Sequence, residues 1–147
     1  MITARHFERA YPYLFAAGLG AVTWYFKIEP SPAKFDGMLT SAISVSAILL
    51  GFLGTAKAML LSFRSAKFSW IKSKPAVWIL LLGYLKIAFR LSFIVCIISL
   101  TLLIFDAAKF PIEVKPYVMP LWVSLFAASV ITFYRVVSVF FAILASE

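Results

Sequence analysis

The chain has 147 residues, 63% of them hydrophobic and 14% charged, with a mean hydropathy of +0.99. Soluble domains are roughly 45–50% apolar and about 25% charged, so the composition excludes a soluble globular domain and predicts an all-α integral membrane protein. Cys96 is the one cysteine, which excludes an internal disulfide, and the net charge of +8 must be located before it is assigned a partner.

A helix crossing a bilayer core needs about 20 predominantly apolar residues. Four stretches meet this, giving one transmembrane helical domain over 1–147 with spans at 10–26, 37–56, 87–105 and 117–134. The first is short and uncharged, with Tyr11 and Tyr13 at one end and Trp24 and Tyr25 at the other, as suits the two headgroup interfaces. Arg5 and Arg9 ahead of it resemble the basic start of a signal peptide, but we expect a retained first helix.

The segments 27–36 and 106–116 each contain two prolines and read as non-helical loops. The connection 57–86 differs, being apolar at 58–61 and 77–82 while carrying much of the basic charge. Pro75 fits the first turn of the third helix, where a missing N–H costs nothing. Helices two and three are therefore expected to extend past the bilayer as a helical hairpin over 57–86.

Charge placement sets the expected orientation. The N-terminus, the middle connection and the C-terminus share one side with Arg5, Arg9, Lys57, Arg64, Lys67, Lys72, Lys74, Lys86, Arg90 and Arg135, against Glu8 and Glu147. The other side is balanced, with Lys27, Lys34, Lys109 and Lys115 against Glu29, Asp36, Asp106 and Glu113. The positive-inside bias then predicts both termini in the cytoplasm of a bacterial inner-membrane protein. Lys57, Lys86, Arg90 and Arg135 all fall near cytoplasmic helix ends, where their stems can snorkel to the headgroups.

Helix two carries the sharpest pattern. Thr40, Ser44, Ala47, Gly51, Gly54 and Ala58 recur at alternating spacings of four and three, forming one stripe of small residues. Such a stripe permits close backbone approach, either to a neighbouring helix of the same chain or to a second copy around an axis. Helix four repeats this less regularly with Ser124 and Ala128, followed by Arg135 on the same face. Arg135 could snorkel, bind a lipid phosphate, meet helix-terminal carbonyls or line a mouth. Lys86 and Arg90, four apart with Gly83 on one face of helix three, could anchor the helix in anionic lipid or form a basic collar in a ring. Ser92, Cys96 and Ser99 lie on the opposite face.

Between helices two and three, Arg64, Lys67, Trp70, Lys72 and Lys74 mix cations with aromatic character. That mixture can stack on single-stranded nucleic acid, lie on a leaflet of anionic headgroups, or dock a cytosolic protein; the membrane setting argues against direct nucleic-acid binding. Catalysis is not expected. No span contains Asp or Glu to couple proton exchange, and His6, in the basic tail, is the one histidine. Intramembrane proteolysis needs residue pairs or a zinc motif that the chain lacks, and no cofactor or metal is expected.

The stretch from Ser44 to Leu61, Ser-Val-Ser-Ala-Ile-Leu-Leu-Gly-Phe-Leu-Gly-Thr-Ala-Lys-Ala-Met-Leu-Leu, resembles small multi-span membrane proteins of bacterial antiphage operons. Among these it is most similar to the four-span membrane subunit of the Kiwa defence system. The resemblance covers one helix, with the span count and orientation beside it. It implies an oligomeric inner-membrane sensor of membrane perturbation acting with a cytosolic effector, and it supplies no catalytic residues. An ion-conducting or membrane-permeabilising oligomer is the alternative expectation.

Overall fold

The computed structural model describes residues 2–27, 31–62, 75–105 and 115–145, and these are entirely helical apart from turns. Four helices follow one another: α1 (Ile2–Tyr25), α2 (Pro32–Ser62), α3 (Pro75–Ile104) and α4 (Lys115–Ala145). No strand occurs among the described residues.

The helix boundaries follow local chemistry. α1 ends where Lys27 turns into the left-handed region, at φ 44°, while its N–H bonds the Trp24 carbonyl at 3.2 Å. At the start of α2, the Ser31 carbonyl accepts the Phe35 N–H at 3.0 Å, so Ser31 caps the helix and Pro32 takes its first position. This corrects the expectation of a loop through residue 36: proline at the first helical position starts a helix because its fixed φ suits that turn. Likewise α4 begins at Lys115, so the end of the expected 106–116 loop is helical. α2 continues as helix to Ser62, and α3 is helical from Pro75.

Three helices are long and apolar enough to cross a membrane, over Lys34–Ser62, Trp78–Ile104 and Pro116–Phe141. At 1.5 Å per residue these reach about 39–44 Å, longer than the roughly 30 Å hydrocarbon core, so the helices have length to spare beyond it. α1 has 24 residues but carries Arg5, Glu8 and Arg9 in its first half, which leaves a shorter apolar run.

α2, α3 and α4 share one core. α2 contributes a seam of Phe35, Leu39, Ala42, Ser46, Leu49, Leu53, Ala56 and Leu60, spaced alternately by four and three, and every member is buried. α3 answers with Leu81, Leu85, Ala88, Ser92, Val95, Ser99 and Leu102 in the same rhythm. This repeat is that of coiled-coil knobs-into-holes packing. The core divides into two clusters. One joins Leu53, Ala56 and Leu60 to Leu81, Leu85, Ala88 and Val136. The other joins Phe35, Leu39 and Ala42 to Leu102 and Trp122. Their order makes α2 and α3 antiparallel, because the end of α2 meets the beginning of α3 and its beginning meets the end of α3.

α1 lies outside this trio, packed on α4. The tightest approach is at Gly20, where a Cβ would collide with Ser124 Oγ and stand 3.0 Å from the Pro120 carbonyl oxygen. Ser124 Oγ itself donates to that carbonyl at 2.8 Å. Pro120 sits inside α4, where its ring removes one backbone hydrogen bond near the start of the helix.

Candidate functional site

The described surface is overwhelmingly apolar. Only 28% of the apolar stretch of α2, 28% of that of α3 and 22% of that of α4 is buried within the chain. Ile48, Ile79, Ile104 and Leu121 are each 65–70% exposed. Exposed apolar surface on this scale marks a lipid or protein contact, and a multi-pass membrane protein supplies it.

Within the apolar core runs a line of hydroxyl groups, sited between the two clusters and beside them. Ser92 Oγ and Ser129 Oγ lie 2.9 Å apart, joining α3 to α4. Two turns further along α3, and two turns back along α4, Trp122 Nε1 donates to Ser99 Oγ at 2.8 Å. The Trp122 ring is stacked on Phe126 with centroids 5.6 Å apart and meets Phe35 edge-on at 6.2 Å. Thr132 turns its hydroxyl onto the Ala128 carbonyl of its own helix at 2.7 Å. Ser46, on the α2 seam, is fully buried and its hydroxyl has no hydrogen-bond partner among the described residues. The Ser92–Ser129 and Trp122–Ser99 contacts tie α3 to α4 where apolar packing alone would allow the two to slide, since lipid tails are as apolar as leucine.

The small-residue stripe of α2 takes no part in that core. Thr40, Ser44, Ala47, Gly51, Gly54 and Ala58 are all exposed, and they lie about 150° around the helix from the buried seam at about 100° per residue. A Cβ on Gly51 or Gly54 would meet nothing within 4 Å. Of the two uses open to such a stripe, contact with another described helix of the chain is therefore not the one realised. The hydroxyls of Thr40, Ser44 and Thr55 on this side each donate to a carbonyl of their own helix, at 2.9–3.2 Å. The stripe is thus smooth and internally satisfied.

The corresponding face of α4 behaves differently. Ala128 is buried and Ser124 half-buried, with α1 standing against Ser124 through Gly20. Proximity to α1 is what the sequence pattern could not assign, because small residues look alike whether the partner is in the same chain or another.

The cations separate into two environments. Arg135 is half-buried on α4, with its guanidinium carbon 4.3 Å from the centroid of the Tyr84 ring and Nη2 donating to Tyr84 Oη at 3.0 Å. It is held by α3, and its charge is partly spent on an aromatic face. Lys57, Lys86 and Arg90 are exposed. Lys57 falls between Ala56 and Leu60, Lys86 between Leu85 and Ala88, and Arg135 beside Val136, so all three lie at the height of one core cluster. Arg64, Lys67, Trp70, Lys72 and Lys74 lie outside the described residues.

Tyr84, Ser129 and Trp122 are the structurally important residues that sequence reasoning missed. A signal existed for two of them: Trp122 and Ser129 are seven apart on α4, the same interval as Ser92 and Ser99 on α3. No group of three or more metal-ligating side chains occurs among the described residues. No family model, curated protein or solved structure matches the chain.

Proposed function

We propose that the chain is an oligomeric inner-membrane subunit of a bacterial defence or stress-sensing complex, detecting membrane perturbation and engaging a cytosolic effector. All four helices span, α1 included, with both termini in the cytoplasm, a reading supported by the concentration of the whole positive excess on one side. The observation that carries the oligomeric part is the α2 stripe: smooth, exposed and opposite the seam that packs the chain. Close helix approach in lipid depends on such surfaces, and the other described helices leave it uncovered. The sensing and effector parts rest on the resemblance of Ser44–Leu61 to the Kiwa membrane subunit and on the basic segment 57–86. That segment is the docking site for the effector. Replacing Arg64, Lys67, Lys72 and Lys74 by Glu abolishes co-purification of the soluble partner from the native operon; unchanged co-purification refutes the docking site.

A second reading is favoured by the hydroxyls on the exposed face of α2. In a ring, Thr40, Ser44 and Thr55 would turn towards the axis with their protons committed to backbone carbonyls and their oxygens available to a cation. That arrangement is an ion-conducting or membrane-permeabilising oligomer. It predicts conductance in reconstituted bilayers that falls on Gly51→Leu; silent bilayers at high protein density count against a constitutive channel.

A further inference from the structure

The pair Lys86 and Arg90 is left without an explanation by the packing of the chain. Both are exposed on α3, and neither has a hydrogen bond or ion pair among the described residues. They are four residues apart, so their side chains emerge about 6 Å from one another on one face. That face lies almost directly opposite the buried seam of Leu85, Ala88 and Ser92. α3 contains no acidic residue at all between Pro75 and Ile104. Two like charges at this spacing repel each other on an isolated helix.

Their depth makes the pair more demanding. Counted back from Ile104 at 1.5 Å per residue, Arg90 stands about 21 Å and Lys86 about 27 Å along the helix. With the far edge of a roughly 30 Å hydrocarbon core set at Ile104, Arg90 falls below the headgroups of its leaflet and Lys86 near their boundary. The neighbouring surface is apolar, with Ile87, Phe89, Phe93 and Ile94 each 41–52% exposed. A guanidinium at that depth must snorkel towards the headgroups, and an anion within reach of its stem lowers the cost of its charge.

The geometry points to a binding site for the phosphate of one anionic phospholipid headgroup, gripped by Arg90 from below and Lys86 from above. The acyl chains of that lipid lie on Ile87, Phe89, Phe93 and Ile94. Lipid, rather than free phosphate, is the source: the site opens sideways into hydrocarbon, where only a phosphate tethered to apolar chains resides. The guanidinium offers paired N–H donors that match phosphate oxygens, and the ammonium adds a point charge. Lys86 closes the segment 57–86 proposed to dock the effector, but the lipid site is read from α3 alone and does not rest on that docking or on the oligomeric state.

The test uses the full chain in nanodiscs of phosphatidylcholine containing phosphatidylglycerol, with the lipids that stay bound on release counted by native mass spectrometry. Wild-type protein retains phosphatidylglycerol in preference to phosphatidylcholine. Each cation near the surface is worth about 1 kcal/mol towards anionic lipid, a factor of about five, so the Lys86→Gln/Arg90→Gln protein loses about 25-fold of that preference. Lys57→Gln, an exposed cation on α2, keeps the Lys86/Arg90 component. Equal retention of the two lipids by the wild type overturns the site, and this comparison needs no variant. So does an unchanged preference in the double variant, or stripping of phosphatidylglycerol by millimolar inorganic phosphate.

Discussion

Gly20 of α1 stands so close to Ser124 of α4 that no side chain fits between the two helices. Among the described residues α1 packs chiefly on α4, and this contact is the tightest point of that packing. Gly18, two residues earlier, has open space around its Cβ position. Gly20→Leu is expected to destabilise the protein by about 1–3 kcal/mol through overpacking, and Gly18→Leu to stay within about 0.5 kcal/mol. Thermal unfolding of both variants in detergent checks the contrast. Equal effects would mean that α1 does not dock through Gly20.

The Ser92–Ser129 contact crosses between α3 and α4 at 2.9 Å, with both residues buried. Interhelical hydrogen bonds in membranes average about 0.6 kcal/mol by double-mutant cycle. Ser92→Ala and Ser129→Ala should each destabilise the protein, and the double variant should cost less than their sum by about that amount. Additive losses would show that the two hydroxyls do not share a bond.

Tyr84 gives Arg135 both a ring face and a hydroxyl acceptor, and conservative variants separate the two. Tyr84→Phe keeps the ring and loses the hydrogen bond, at a cost of about 1 kcal/mol. Tyr84→Leu loses both, adding about 0.5–1 kcal/mol from the cation–π contact. Denaturant titration in mixed micelles measures each step; identical losses would leave the ring with no part in holding Arg135.

Lys27 occupies the left-handed region at φ 44°, a conformation that costs a residue with a Cβ roughly 1–2 kcal/mol. Lys27→Gly should therefore raise the melting temperature. A fall in melting temperature would contradict the strain argument.

How much of this was legible in the sequence follows from the solvent. Three helices long and apolar enough to cross a membrane were readable as apolar runs, because hydrocarbon imposes that length whatever the tertiary structure. Pro75 signalled its helix start through a missing N–H, and Pro32 would have done so had it been read in the same way rather than as a loop marker. The core seam of α2 was not legible. In water, Leu39, Leu53 and Leu60 would stand out against polar neighbours, but here the outward Ile48, Phe52 and Leu61 are just as apolar. Lipid removes the contrast on which periodicity depends, so the eye is drawn to the small residues, which turn out to mark the outside of the helix. On α3 a polar contrast survives: Ser92 and Ser99, placed by their spacing opposite Lys86 and Arg90, are buried while the two cations are exposed. The partners of those serines, Ser129 and Trp122, depend on the register between two helices, which no single-helix pattern contains.

The outward stripe of α2 bears directly on the central proposal. Gly51→Leu adds a side chain where the structure has open space, so it should leave helicity and monomer stability within about 0.5 kcal/mol of wild type. If α2 meets a second copy through this face, the same change separates the copies.

The mass of the nanodisc-solubilised complex, purified from its native operon by a tag on this 16.4 kDa subunit, tests that account most directly. The account predicts several copies of the subunit together with a stoichiometric soluble partner, reduced to single copies by Gly51→Leu. A lone wild-type subunit, with neither a second copy nor a partner, would contradict it.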